Sequence, residues 1–492
     1  MKAGKFILCL VCFIGAGVML AACSRKESYE TIRLKEDKPV TVKFKDVSVH
    51  DPSVIQYEDT YYVFGSHLAG AKSKDLINWT MIGNGVNKSN PIIKDPLKEM
   101  KEAFVWAKTG TFWAPDVIQL KDGRFYMYYC NCEGSSPLSC MGVAVADSIE
   151  GPYKDLGIIL KSGMTDTPSE NGDFYDATVY PNVVDPCVYY DREDRLWMMY
   201  GSYSGGIYVL ELNTETGFPL ETGYGKKILG GNHLRIEGAF VEYNPETEYY
   251  YMFLSFGGLA ADGGYNIRVC RSETPDGPFY DVDGTDMIEC KGAQGTFFDD
   301  KAAQKYGLKL MGNYKWMARE GEEGQDRKGY VSPGHNSTLY DEKTGKYFII
   351  FHTRFERKGE FHQVRVHQMF FNEDGWPVIL PYRYTGETIG EYKKESLAGV
   401  YKYINHGRDI SSDIKESGEI ILYKDGTIEG AAGGKWKQKG KNNIELIIDG
   451  VTYKGVCAKA YDEFGKKYVM TFTAASSENG QSIWGSGLEA IE

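Results

Sequence analysis

Asp51-Pro52-Ser53-Val54-Ile55, a turn at Glu58-Asp59, and Tyr61-Tyr62-Val63-Phe64-Gly65-Ser66 form a pattern that the chain repeats. A polar residue opens a short apolar run, a turn follows, and an aromatic strand returns. The second copy runs from Asp116-Val117-Ile118 through Lys121-Asp122-Gly123 to Phe125-Tyr126-Met127-Tyr128-Tyr129. The third joins Asp185-Pro186-Cys187-Val188 to Leu196-Trp197-Met198-Met199-Tyr200, and the fourth joins Glu237-Gly238-Ala239-Phe240-Val241 to Tyr249-Tyr250-Tyr251-Met252-Phe253. The fifth opens at His335-Asn336-Ser337 and returns at Tyr347-Phe348-Ile349-Ile350-Phe351. Successive openings lie 65, 69, 52 and 98 residues apart. The first three intervals suit a four-stranded sheet with its loops, and the last carries an insertion over roughly residues 292–330.

A closing phrase recurs as well: Glu150-Gly151-Pro152-Tyr153 is echoed by Asp276-Gly277-Pro278-Phe279. Repeats of this length, all strand and turn, predict an all-β chain built as a five-bladed β-propeller over residues 46–385. A pair of unrelated sandwiches would not explain a polar residue at every opening. Beyond residue 385 the texture changes to short alternating strands, including Glu419-Ile420-Ile421-Leu422 and Ile444-Glu445-Leu446-Ile447, with turns at Asp425-Gly426 and Asp449-Gly450. Residues 386–492 therefore read as a separate small C-terminal β-barrel or β-sandwich.

Composition agrees. The 492 residues include 36 Tyr, 23 Phe and 57 Gly against 17 Pro, a balance that favours strands and turns. A formal charge of −12 argues against a general nucleic-acid binder, which needs a basic surface. A neutral glycan is compatible with it.

Residues 1–22 read as a secretory signal: two lysines, an apolar run too short to span a bilayer comfortably, then small residues. The junction Leu20-Ala21-Ala22-Cys23 resembles the lipobox of bacterial lipoproteins, which implies a lipid on Cys23 and a tether over residues 23–45. The expected address is export with lipid anchoring to the cell membrane or outer membrane. Seven cysteines remain after the signal and Cys23 are set aside: Cys130, Cys132, Cys140, Cys187, Cys270, Cys290 and Cys457. Cys130, Cys132 and Cys140 lack a fourth ligand at zinc-finger spacing, so they read as buried strand residues, with a local disulfide as the alternative.

In a closed repeat, equivalent positions form a ring around one axis. That ring holds Asp51, Asp116, Asp185, Glu237 and His335. Carboxylates that converge in a pocket raise one another's pKa, and burial adds to the effect. One carboxyl kept protonated and one kept ionised is what acid/base hydrolysis of a glycosidic bond requires.

Asp51-Pro52-Ser53, Trp113-Ala114-Pro115-Asp116-Val117, Asn182-Val183-Val184-Asp185-Pro186 and Ile236-Glu237-Gly238 together resemble glycoside hydrolase family 43. The stretches Ser255–Asn266, Lys309–Tyr314 and Pro333–Ser337 make the chain most similar to its two-domain bacterial endo-1,5-α-L-arabinanases. The resemblance covers residues 46–385. It implies inverting cleavage of internal α-1,5-L-arabinofuranosidic bonds in arabinan. Asp51 would be the general base, Glu237 the general acid, and Asp185 the residue that orients the acid and raises its pKa. Inversion asks for base and acid carboxyls about 6.5–9.5 Å apart. His335 matches the histidine that helps hold a mostly hydrated calcium ion near the channel centre. Trp113 is a candidate stacking platform, and Asn182, Ser202 and Ser204 match substrate-contacting stretches. In the family motif Asp116 is structural. The expected state is a monomer. Other readings are an exo-acting α-L-arabinofuranosidase or β-xylosidase of the same family, a surface protein that captures glycan without cutting it, and a scaffolding propeller.

Overall fold

The computed structural model describes residues 31–32, 41–318 and 328–491. The signal segment 1–22 and Cys23 lie outside the described residues, as does the tether up to residue 40 apart from Thr31–Ile32, which pairs with the last strand of the chain.

The all-β reading holds. Three separate four-stranded antiparallel sheets come first: Ser53–Tyr57, Thr60–Gly65, Ala69–Ser73 and Trp79–Gly83; Asp116–Gln119, Phe125–Cys132, Ser139–Ala146 and Lys154–Ser162; Cys187–Tyr190, Leu196–Tyr200, Ile207–Leu212 and Lys226–Leu229. A fourth meander, Ile236–Asn244, Tyr249–Phe256, Asn266–Ser272 and Leu308–Met311, is arranged in the same blade-like way. These four blades give a propeller-like body. Lys328–Asp341, Lys346–Arg354, His362–Phe371 and Pro377–Ile379 follow as another meander, inside a six-stranded sheet.

The C-terminal region is a barrel rather than a sandwich. Eight strands, from Gly399–Asn405 to Gln481–Ile491, close because the last pairs with both the first and the one before it. Closure removes the free edges that an open sheet of this size would expose.

Apolar side chains from neighbouring sheets fill the gaps between them. Tyr62 and Phe64 pack with Phe125 and Met127, Tyr128 and Val143 with Met198 and Tyr200, and Met199 and Val209 with Met252 and Leu254. Tyr251 and Phe253 then meet Ile349 and Phe351, while Phe348 and Val366 return to Val54 and Val63 of the first sheet. The central strand Phe125–Cys132 is buried along its whole length, as a strand covered on both faces must be. The segment leading into Asp51 runs between the first sheet and the last meander. Lys45 and His50 accept from Trp79 and Ser66 on one side, and Val47 accepts from Val364 on the other.

Pro96–Glu99 and Lys101–Ala107 are short helices in the link between the first two sheets, where the sequence reading anticipates no helix. Met100, Ala103, Phe104 and Ala107 have helical spacing and are buried. All seven described cysteines are free and buried. The strand reading of Cys130, Cys132 and Cys140 therefore stands over the disulfide.

The barrel is fastened to the propeller by charged groups out of water. Arg408 donates to Asp281 at 2.5 Å, and that carboxylate is almost wholly buried. Beside them the buried guanidinium of Arg268 donates to the carbonyls of Gln304, Tyr306 and Arg408. Truncating one member of such a pair strands the other. Arg408→Ala is expected to cost about 3–5 kcal/mol of stability, measured by calorimetric unfolding. The double variant Arg408→Met with Asp281→Asn should lose less than the single one.

Candidate active site

Four of the five ring residues meet at the axis. His335 Nδ1 lies 3.1 Å from Asp51 Oδ1, and the backbone N–H of Gly238 donates to Asp185 Oδ2 at 3.3 Å, which sets Asp185 beside Glu237. Asp51, Asp185 and Glu237 are all buried. Their local backbones share a feature: Asp51, Asp185 and His335 have left-handed φ values of 54°, 58° and 45°, and Gly238, just after Glu237, has 60°. Asp and His tolerate this region better than most residues, and Gly has no Cβ to clash there. The kink precedes the strand at Asp51 and Asp185, and it falls at a register shift inside the strand at Gly238 and His335.

Asp116 differs. It opens its strand without a left-handed φ, accepts hydrogen bonds from Ser53 Oγ and Val117 N, and takes Val188 N at 2.6 Å. One carboxylate thereby ties the first three sheets together, the structural role that the motif implied.

The surroundings drive the carboxyl groups apart. Burial alone would raise the pKa of Asp51, but His335 and His50 outweigh it and hold the group well below the usual range. His50 Nδ1 is 2.7 Å and Ser66 Oγ 2.5 Å from Asp51 Oδ2. Burial raises Glu237, with the Asp51 charge adding to it, against the lowering effects of His335, Ser202 and Tyr265. Burial also raises Asp185, with Glu237 and Asp51 contributing. The imidazole of His335 is pushed up to about 10: burial opposes its charge, but three carboxylates favour it more. This is the arrangement of one ionised and one protonated carboxyl that proton transfer at neutral pH needs.

The same geometry bears on a metal. Asp51 occupies Nδ1 of His335, while Nε2 has no hydrogen-bond partner among the described residues. If a cation displaced the Nε2 proton, that nitrogen, in a ring of three carboxylates, would fit a hard ion whose other ligands are water.

The expected sugar contacts divide. Ser202 Oγ donates to Glu237 Oε2 at 2.7 Å, so it orients a ring carboxyl. Asn182 accepts from Ser139 Oγ at 2.5 Å and pairs through its backbone with Ser202. Ser204 is buried, and its carbonyl accepts from His233 N. Trp113 is half-buried against Cys130, Cys132 and Val184.

Other neighbours of the ring went unread in the sequence. Tyr265, within the stretch Ser255–Asn266, donates from its OH to Glu237 Oε1 at 2.9 Å. His352 Nδ1 accepts from Asp51 N at 3.1 Å and its ring stacks on His50 at 4.0 Å. Arg354 reaches both imidazoles at 3.3 Å and is held by Glu360. His50 carries a signal, its adjacency to Asp51. His352 carries none, because it arrives from a strand about 300 residues away.

Comparison with known proteins gives a consistent result. Residues 44–301 match the model of glycosyl hydrolases family 43, and residues 381–485 match that family's C-terminal lipocalin-like domain. The chain is 54% identical to the extracellular endo-α-(1→5)-L-arabinanase 2 of Bacillus subtilis, over 97% of this chain and 98% of that one. It is 49% identical to the extracellular endo-α-(1→5)-L-arabinanase of Thermotoga petrophila, over 93% and 96%. A crystal structure of a family 43 glycoside hydrolase from Bacillus licheniformis superposes with a TM-score of 0.88 at 57% identity, covering 92% of this chain and all of that one.

Gly334 shows how closely the site is packed: a Cβ there would lie 2.1 Å from the ring of Tyr265. Gly334→Ala is expected to cost about 1–3 kcal/mol, measured by urea unfolding. The cost should shrink in a Tyr265→Leu background if that ring is the obstacle.

Proposed function

The chain belongs to glycosyl hydrolases family 43, and on that premise we propose that it cleaves internal α-1,5-L-arabinofuranosidic bonds of arabinan with inversion at the anomeric carbon. The observation that carries this reading is the divergence of two buried carboxyls around one imidazole, Asp51 held ionised and Glu237 raised. The two extracellular endo-arabinanases similar over nearly the whole chain support the substrate and the internal mode of attack.

In this mechanism Asp51 accepts a proton from a water molecule as its oxygen attacks the anomeric carbon. His50 and Ser66 fix the accepting carboxylate. Glu237 gives its proton to the departing glycosidic oxygen while Ser202 and Tyr265 hold its two oxygens in place. Asp185, next to Gly238, orients the acid, and in its ionised form its charge would raise the acid's pKa further. Exchange with solvent restores both groups after the products leave. His335 is the protein ligand proposed for one mostly hydrated calcium ion, which would supply positive charge at the channel centre.

The meander Lys328–Ile379 is read as a fifth blade. It supplies His335 to the ring, and its packing against both the fourth meander and the first sheet supports the reading. The proposed address is outside the cytoplasm, as the names of the relatives suggest, with Cys23 as a lipid attachment point and a monomer as the working state.

Debranched 1,5-α-arabinan should yield a ladder of mixed oligosaccharides early in the time course. Arabinose alone from the start would move the reading to an exo-acting enzyme. No release, with retained binding, would leave a capture protein. Asp51→Asn and Glu237→Gln should each lower kcat by about 100- to 10,000-fold.

Tyr265→Phe removes a hydrogen bond that favours the ionised acid, so the acid's pKa rises. The alkaline limb of the kcat/KM profile should therefore move to higher pH. Chelation should lower activity on arabinan and added calcium should restore it, with His335→Ala insensitive to both treatments.

A further inference from the structure

Phe297 and Phe298 are adjacent, 69% and 49% exposed, and no packing among the described residues covers either ring fully. They sit at the crest of a long insertion. The third and fourth strands of the fourth meander are joined by residues 273–307, whereas the corresponding link in the first sheet is residues 74–78. The insertion climbs along the segment that leads to Glu237. Gly230 N donates to Cys290 O at 2.8 Å, Gly292 N to Gly231 O at 3.3 Å, and Phe298 N to His233 O at 3.3 Å. Four residues beyond His233 the chain reaches Glu237.

The aromatic surface is continuous with the catalytic ring. The Phe297 ring lies flat on His233, with centroids 4.2 Å apart and planes 6° from parallel. Phe298 meets Tyr203 edge to face at 5.7 Å, and Tyr203 follows Ser202, whose hydroxyl holds the acid. From below, the guanidinium of Arg235 lies 5.4 Å from the Phe298 ring and is itself pinned by Asp300.

Maintaining this surface carries a backbone cost. Tyr203, Asn232, His233 and Phe298 all have left-handed φ values, between 47° and 58°. For a bulky side chain such as Phe298 that is a conformation of appreciable strain. Two phenyl rings turned to water, that of Phe298 on strained backbone, braced by a stacked imidazole and a fixed guanidinium, are organised for a ligand with flat apolar faces and no charge. Furanose rings present such C–H faces, and aromatic platforms suit them.

We propose that Phe297 and Phe298, backed by His233 and Tyr203, form a stacking subsite for arabinofuranosyl residues of the same chain beyond the scissile bond, on the acid's side of the cleft. The proposal rests on the arabinan reading above. It gives the insertion a purpose: grip on a long polymer, which favours attack far from chain ends.

The test compares kcat/KM on debranched arabinan with kcat/KM on arabinotriose. In Phe297→Ala the polymer-to-trimer ratio should fall about fivefold, the worth of one aromatic contact, with the change in KM. Phe297→Tyr keeps the ring and should restore the ratio. In parallel, arabinan binding is measured on Glu237→Gln with and without Phe297→Ala, and the second substitution should weaken it by a similar factor. An unchanged ratio, or equal loss on both substrates, would overturn the subsite and leave the arabinanase reading intact. Wild type that does not cut arabinan would overturn that reading. The binding arm then decides the subsite by itself, and equal binding by both variants would sink it. A dimer in light scattering that Phe297→Ala dissolves would show a second copy on the patch, and also overturns the proposal.

Discussion

The backbone hydrogen bonds of residues 45–50 are the constraint on which the rest depends. This short segment accepts from the first sheet on one side and from the last meander on the other, so it joins those two parts of the chain. Asp51 is the next residue. Docking the last meander beside the first sheet and seating the proposed base are therefore one event: the carboxylate cannot reach its place until distant parts of the chain have met. His335 and His352, which contact Asp51 from roughly 280 and 300 residues away, belong to the same closure. A site assembled this way has no local precursor in the unfolded chain.

Electrostatics at the axis follow from that geometry. Three carboxylates in a buried space would repel one another, and burial alone would push each toward neutrality. One imidazole changes the outcome unevenly. His335 is paired directly with Asp51, and His50 approaches the same carboxylate from its other oxygen. Asp51 alone is left fully compensated. Glu237 and Asp185 receive less and stay raised. The division of labour between two chemically similar groups comes from which of them sits against histidine.

Much of this was legible in the sequence because a repeat turns separation along the chain into proximity. The opening residues, the strands they lead and the change of texture near residue 385 all follow from pattern. What pattern could not separate was Asp116 from its ring equivalents. The difference lies in backbone φ: Asp51 and Asp185 are kinked just before their strands, while Asp116 opens its strand in extended backbone and bonds sideways to its neighbours. Barrel and sandwich were also indistinguishable beforehand, since closure is decided by Gly399–Asn405 pairing with the final strand across some eighty residues. The helix Lys101–Ala107 was written in its spacing but overshadowed by the strands on either side. His352 and Arg354 had no signal, because their partners are fixed only by the closed ring.

The seven free cysteines have a consequence for how the molecule fares outside a reducing compartment. Each is buried, and burial lifts the thiols of Cys130, Cys187, Cys270 and Cys457 away from the reactive thiolate form. In the folded protein these seven thiols are therefore shielded from ambient oxidants, and none of them forms a disulfide that could be reduced. Vulnerability is confined to the interval before the sheets close, when all seven sulfurs are accessible at once. Speed of folding, more than final stability, then sets how much of the chain escapes cross-linking.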